Sequence, residues 1–361
     1  MNPIGSVASA YNTLTTGGTV GQAAIVIVPD DNHDGVGDPH LIYRNGLPST
    51  QGMLFANGSF YFQDHTTVRQ EPYVAGQRTP GPDAGVIADV QVFVDALHWP
   101  KTLDLADDGT IYLSNGGDQN ESCDSNRPFR GGILALDPTQ DGGVREIAMG
   151  TRNPIFVRCH RDGNNRCFAA ELALDFSGDA GGREKLIPIR AGDDWGFPCC
   201  GSGGVAYQTV CLTCSAQTAT RAASTPYCQA LNSTVCSPDC SATAVESNSF
   251  TIGSTPFGFT FVDTQFPPPW DHQLFEAMHG DRRAFSGSGV VAIAFDPVTG
   301  ALLPSSNLPG LDAGALRSFL GGWDDGTLTH GRPSDVEISP DGRLFVANDT
   351  TGEIFWVSPL P

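Results

Sequence analysis

Residues 100 to 115 read PKTLDLADDGTIYLSN and residues 333 to 348 read PSDVEISPDGRLFVAN, two copies of one phrase that align without a gap. Pro100 falls on Pro333, Asp108-Gly109 on Asp341-Gly342, Tyr112 on Phe345 and Asn115 on Asn348. Each copy holds two short β-patterned runs, Thr102 to Leu105 and Thr110 to Leu113 in the first, joined by an Asp-Gly pair. Asp-Gly supplies the positive φ that a tight hairpin requires, so the phrase predicts a β-hairpin.

Working outward, a looser copy, PIFVRCHRDG, begins at Pro154 with Asp162-Gly163 at the same offset. Another runs from Met53-Leu54-Phe55 through Gly58 to Phe62. Gly58, Gly109 and Gly163 are spaced by 51 and 54 residues. A β-patterned unit of that period, with no 3.6-residue stripe, fits one four-stranded blade of a β-propeller. Blade-like units are expected at 41 to 75, 86 to 137, 144 to 192, 250 to 300 and 330 to 358, with 23 to 40 as the remnant of a sixth. The expected fold is therefore all-β: a six-bladed propeller with an incomplete first blade, spanning residues 1 to 361 as a single domain.

Composition agrees with a loop-rich β protein, with 43 glycines and 26 prolines in 361 residues and no long amphipathic segment. A formal net charge of −20 repels phosphate backbones, which argues against nucleic acid as a partner. No stretch approaches the roughly twenty apolar residues that span a bilayer. Of ten cysteines, seven lie between Cys199 and Cys240, in a Ser/Thr-rich stretch from about 199 to 248 that carries no copy of the phrase. That stretch reads as a stapled loop inserted between blades, surface decoration or a lid, and its density of cysteine points to disulfides in an oxidising compartment. Its irregular spacing and lack of histidine argue against zinc at Cys211 and Cys214. Cys159 and Cys167 flank a predicted turn and are placed for a bridge across it. Met1 to Gly21 lacks the basic start and apolar core of a secretory leader, so a periplasmic or secreted location would call for a leader that this chain does not show.

Two sets of residues carry chemistry. Asp30, Asn32, Asp34, Gly35 and Asp38 stand at positions one, three, five, six and nine of an EF-hand loop, with Val36 placed to donate a carbonyl. Alternating oxygens around a glycine turn suit calcium, although Leu41 replaces the glutamate at position twelve; the competing reading is an Asx-rich turn. The second set lies just before the repeated hairpins: Gln51, His98, Arg152-Asn153 and Arg332. Equivalent positions of successive blades meet on one face of a propeller, so these residues should converge although far apart in sequence. A histidine that accepts a proton near neutrality, two guanidinium groups and amides suit an anionic cofactor or substrate.

The segments LHWPKTLDLADDGTIYLSNGG, GTRNPIFV, EKLIPIRAGDDWGFP, FEAMHGDRR and GRPSDVEISPDGRLFVAND resemble, in order, the soluble pyrroloquinoline quinone dependent glucose/sorbosone dehydrogenases, also called aldose sugar dehydrogenases. The likeness is closest to the sorbosone branch, which has a similar His-Trp pair. It covers about residues 25 to 358 apart from the cysteine-rich insert. The resemblance implies a six-bladed propeller with the quinone over the channel mouth, held by arginines and calcium. It implies His98 as the base that removes the sugar hydroxyl proton and Arg152 with Asn153 beside the reactive carbonyl. Gln51 would face the substrate and Arg332 the cofactor. It further implies hydride transfer from the anomeric carbon and an external electron acceptor. Two other classes stay open at this stage, a metal-dependent propeller lactonase or hydrolase and a propeller binding module without cofactor.

Overall fold

A computed structural model describes residues 23–64, 66–82, 85–90, 98, 101–117, 131–173, 183–197, 200–201, 240–250, 253–280, 289–303, 316–323, 331–349 and 351–359. Among them every extended element is a β-strand, and no helix is long and apolar enough to cross a membrane. The chain is a β-propeller with five blades and one further two-stranded sheet. That sheet is formed by β1 (Ala23–Ile27) and β2 (Leu41–Leu47). The first blade is β3 (Met53–Ala56), β4 (Ser59–Asp64), β5 (Thr67–Pro72) and β6 (Gly85–Asp89). The second is β7 (Leu103–Leu105), β8 (Ile111–Asn115), β9 (Gly132–Leu136) and β10 (Val144–Met149). The third is β11 (Asn153–His160), β12 (Arg166–Leu172), β13 (Glu184–Pro188) and β14 (Asn248–Phe250). The fourth is β15 (Pro256–Val262), β16 (Gln273–Met278), β17 (Gly289–Ala294) and β18 (Leu316–Leu320). The fifth has three strands, β19 (Pro333–Ile338), β20 (Leu344–Asn348) and β21 (Glu353–Val357).

Within each blade, strands that follow one another in sequence pair antiparallel. The repeated phrase forms the first hairpin of a blade, with Gly109 and Gly342 at φ +87° and +85° in its turns, a conformation that side chains with a Cβ resist. Blade boundaries differ from the expected ones by about one strand. Val144–Met149, placed at the start of a unit by sequence, instead closes the second blade against β9, and Leu41–Leu47 pairs with β1.

The blades stack face to face, and the core lies between them. Ile155, Phe168, Leu186 and Phe250 of the third blade pack on Phe259, Leu274 and Ile293 of the fourth. Leu54 and Val68 pack on Leu103, Leu113 and Leu134 between first and second, and Val262 and Phe275 on Val336 and Val346 between fourth and fifth. First strands of neighbouring blades touch one another and so line the axis. There Arg158 Nη2 lies 2.7 Å from Glu337 and 3.7 Å from Asp335, while its Nε donates to the Phe259 carbonyl, which fills the axis with a charge-paired plug. Gly258 makes room for it, since a Cβ there would lie 1.9 Å from Asp335 Oδ1.

The two-stranded sheet packs Ile25, Tyr43 and Leu47 on Phe60 and Phe62 of the first blade, and the fifth blade reaches it through Trp356 Nε1, which donates to the Gly35 carbonyl at 3.0 Å. A cavity of about 650 Å³ remains between these three sheets, lined by Ile25, Met53, Phe60, Phe345 and Trp356. Disulfides join Cys159 to Cys167, facing partners across the third-blade hairpin, and Cys200 to Cys240. The core of the cysteine-rich insert, 202–239, lies outside the described residues.

Candidate active site

Four blades begin with a predicted residue at the same end. Gln51 stands two residues before β3, Arg152 immediately before β11 with Asn153 as its first residue, and Arg332 immediately before β19. His98 precedes β7 by five residues, of which 99–100 lie outside the described set. The opposite end of each of these hairpins is its turn, Asn57-Gly58 in the first blade and Asp-Gly in the other three.

His98 is buried, and its Nδ1 lies 2.8 Å from the Gly117 carbonyl. A carbonyl only accepts, so Nδ1 carries the proton and Nε2 is the nitrogen with the lone pair. Burial, with the charge of Arg152 and then Lys101 adding to it, holds the His98 pKa down to about 3, so the ring is neutral at physiological pH. The Gly117 amide in turn donates to the Arg152 carbonyl at 2.6 Å, which ties the His98 loop to the Arg152 loop. Gly116 is what allows this approach: a Cβ there would lie 2.3 Å from His98 Cβ and 3.3 Å from Asn153 Oδ1.

Gln51 joins through a shared acceptor, since Gln63 Oε1 accepts from the Gln51 amide at 3.2 Å and from the Lys101 amide at 3.1 Å. On the other side the site continues through a stack of rings. Phe156 lies 6.1 Å from Phe257, and Phe257 stacks on His279 at 4.0 Å with an interplanar angle of 4°. His279 Nε2 pairs with Asp349 at 2.6 Å, and Arg332 Nε donates to the His279 carbonyl at 3.1 Å. The structure thus brings Gln51, His98, Arg152, Asn153 and Arg332 onto one end of the ring.

The calcium-loop residues stand elsewhere. Asp30, Asn32, Asp34, Val36 and Asp38 lie between β1 and β2, beside Trp356 and Arg343, at the Asp-Gly end of the fifth blade. Asp30 accepts from the amides of Asp34 and Gly35, Asp34 from that of Val36, and Asp38 from that of Asp31, as in an Asx-rich turn. Among the described residues no group of three or more His, Cys, Asp or Glu is arranged to hold a metal ion.

Sequence reading missed four charged groups beside the site. Lys101 is buried with Nζ 2.7 Å from Asn115 Oδ1, and burial lowers its pKa to about 7. Glu171 and Lys185 form a buried pair at 2.7 Å, with Glu171 Oε1 accepting from the Arg152 amide. His279 lies inside FEAMHGDRR, whose histidine was the available signal. The site is rich in cations and in unmet polar capacity: Thr151 Oγ1 and Asn153 Oδ1 are buried without a hydrogen-bond partner among the described residues. The guanidinium groups and the Thr151 hydroxyl fit an anionic, oxygen-bearing group, while the Asn153 Oδ1 acceptor calls for a donor on whatever binds there.

No family model and no curated protein matches the sequence. Solved structures do. The calcium structure of a Trichoderma reesei member of Carbohydrate-Active Enzymes Family AA12 is 18% identical over 93% of this chain and 88% of that one, with a TM-score of 0.66. The holo form of the pyranose dehydrogenase pyrroloquinoline quinone domain from Coprinopsis cinerea is 16% identical over 92% and 87%, with a TM-score of 0.66. The quinone-bound aldose sugar dehydrogenase of Streptomyces coelicolor is 17% identical over 83% and 74%, at 0.50. The chain shares its β-propeller fold with these structures.

Proposed function

We propose that the protein is a pyrroloquinoline quinone and calcium dependent oxidoreductase that oxidises an aldose or sugar aldehyde at its anomeric carbon. The observation that carries this reading is the placement of His98. Its Nδ1–H is committed to Gly117, its Nε2 keeps the lone pair, and Arg152 and Asn153 are its immediate neighbours. When bound, the quinone would supply the acceptor of the hydride, which carries both electrons.

The chain's own residues divide the remaining work. Neutral His98 takes the sugar hydroxyl proton at Nε2 as the carbon gives up its hydride. The proton and the electron pair therefore leave the sugar separately and in balance. Arg152 would offer a fixed positive charge where negative charge develops on oxygen, and Asn153 and Arg332 would hold the cofactor. Gln51 would orient the sugar. Turnover would also call for an external electron acceptor. A calcium ion in the Asp30–Asp38 loop would be structural, because that loop lies at the opposite end of the blades from Arg332. The two-stranded sheet takes the sixth place in the ring under this reading, and the likeness to the sorbosone branch guides the choice of test sugars. Disulfides at Cys159–Cys167 and Cys200–Cys240 support a periplasmic or secreted setting.

The test is reconstitution of the purified protein with pyrroloquinoline quinone and calcium, followed by dye reduction with a panel of aldoses. Stoichiometric uptake and sugar-dependent reduction are expected. A folded protein that takes up no quinone would overturn the assignment.

A further inference from the structure

One hydrogen-bonding device recurs where the site residues enter the blades. In the third blade Glu171 Oε1 accepts from the backbone amide of Arg152 at 2.7 Å. In the fifth, Asn348 Oδ1 accepts from the amide of Arg332 at 2.8 Å. In the first, Gln63 Oε1 accepts from the amide of Gln51. Each acceptor sits on or just before the last residue of the blade's second strand, and all three are buried, with exposures of 1%, 3% and 0%.

In the third and fifth blades the strand pairing shows a cause, while in the first, where Gly52 faces Gln63, the clamp is present without a proline. Glu171 faces Pro154 and Asn348 faces Pro333 across the hairpin. Proline has no N–H to give the ladder. Just upstream, the amide of the site residue is buried and needs an acceptor. The side chain on the second strand supplies it. The fourth blade meets the same need differently. Pro256 there faces Met278, which offers no acceptor, and the Thr255 amide just upstream donates instead to the buried Glu184 on β13 of the neighbouring blade; the fourth blade contributes none of the predicted site residues. In the second blade the equivalent Asn115 receives Lys101 Nζ, and His98 is fixed through Gly117.

We infer that Gln63, Glu171 and Asn348 are positioning residues: a repeated clamp that fixes the backbone from which Gln51, Arg152 and Arg332 project. The clamp is a feature of the fold, and its chemical consequence rests on the oxidoreductase reading above. Gln63 extends it between blades, since its Oε1 also holds the Lys101 amide.

The test measures residue-resolved hydrogen exchange in the full chain without cofactor, and then pyrroloquinoline quinone affinity. Losing one buried hydrogen bond in Asn348→Leu should speed exchange of the Arg332 amide about tenfold and leave the Arg152 amide unchanged. Asn348→Asp, which keeps an acceptor oxygen, should restore protection and quinone affinity together. A purely structural role would raise exchange across the whole fifth blade, with no rescue by aspartate. If Asn348→Leu does not fold, Gln63→Met tests the same idea at the Gln51 and Lys101 amides. Unchanged protection of the target amides in a folded acceptor-less variant would overturn the clamp. Faster exchange at those amides in a protein that never takes up quinone would leave the clamp standing and remove the redox reading.

Discussion

The two ends of a blade have the same origin in the repeated phrase and opposite behaviour. At the turn end, Gly58, Gly109, Gly163 and Gly342 recur with φ of +70°, +87°, +76° and +85°. At the other end the corresponding positions hold Gln51, His98, Arg152 and Arg332, with no side chain repeated except arginine. The turn end answers to a backbone constraint that is the same in these four blades. Under the proposed function the site end would answer to a single ligand that each blade meets from a different side. Uniformity marks what the fold needs, and divergence on a common frame marks what the chemistry needs.

The strongest way to test that contrast is to remove the proposed base. His98→Asn should lower turnover by about 10² to 10⁴-fold, the range for loss of a general base, while quinone affinity stays near the parent value. Steady-state kinetics with a titration of cofactor uptake checks both. Turnover within a few-fold of the parent would break the assignment of His98.

Between the ends, in the packed interface of the third and fourth blades, Glu276 is a misfit. It is fully buried among apolar residues, and neither carboxyl oxygen has a partner among the described residues. Burial, and then the nearby Glu184, raise its pKa well above the usual carboxylate value. Its neutral form is the one the fold tolerates, so stability is present below the unfolded pKa and is lost as pH rises through the folded one. Glu276→Met removes a buried polar group at similar volume and should stabilise the protein by about 1 to 3 kcal/mol at pH 8. The gain should shrink below pH 4.5, the ordinary value for the group. Thermal unfolding at both pH values measures it, and a lower midpoint for the variant at pH 8 would contradict the account.

At the turn end, Gly109→Ala isolates the backbone term, because an added Cβ meets nothing within 4 Å. The φ of +87° alone should cost about 1 to 2 kcal/mol, with turnover per folded molecule unchanged. A loss of turnover at constant fold would mean that the two ends are not separable.

What the sequence made legible follows from the same division. Asp-Gly and the alternating strands announce the hairpins, because local backbone demands are written in adjacent residues. Gln51, His98, Arg152-Asn153 and Arg332 were found by position relative to that phrase. Lys101, Glu171, Lys185 and Asp349 were not. Their importance comes from partners 14 or more residues away, on another strand, and nothing adjacent to them signals the pairing. Blade boundaries slipped for a related reason, since outer strands pair through backbone groups that side-chain patterning does not report. The acidic loop was read from spacing alone, which carries no information on whether its oxygens turn toward an ion or toward the loop's own amides.

The smallest effect, and the one that bears most closely on His98, concerns acid. Its folded pKa of about 3 lies below the ordinary 6.5, so the unfolded chain binds a proton there before the native one does. Stability attributable to this group therefore rises with pH across the window from about 3 to 6.5 and is flat above it. His98→Asn abolishes that proton uptake, so its unfolding midpoint should fall less steeply than the parent's between pH 6.5 and pH 4. Gly109→Ala should shift the midpoint by the same amount at every pH in that range. Two variants at opposite ends of one blade thus differ in the shape of their pH profile as well as in turnover. Parallel profiles would show that His98 is not held neutral by its surroundings.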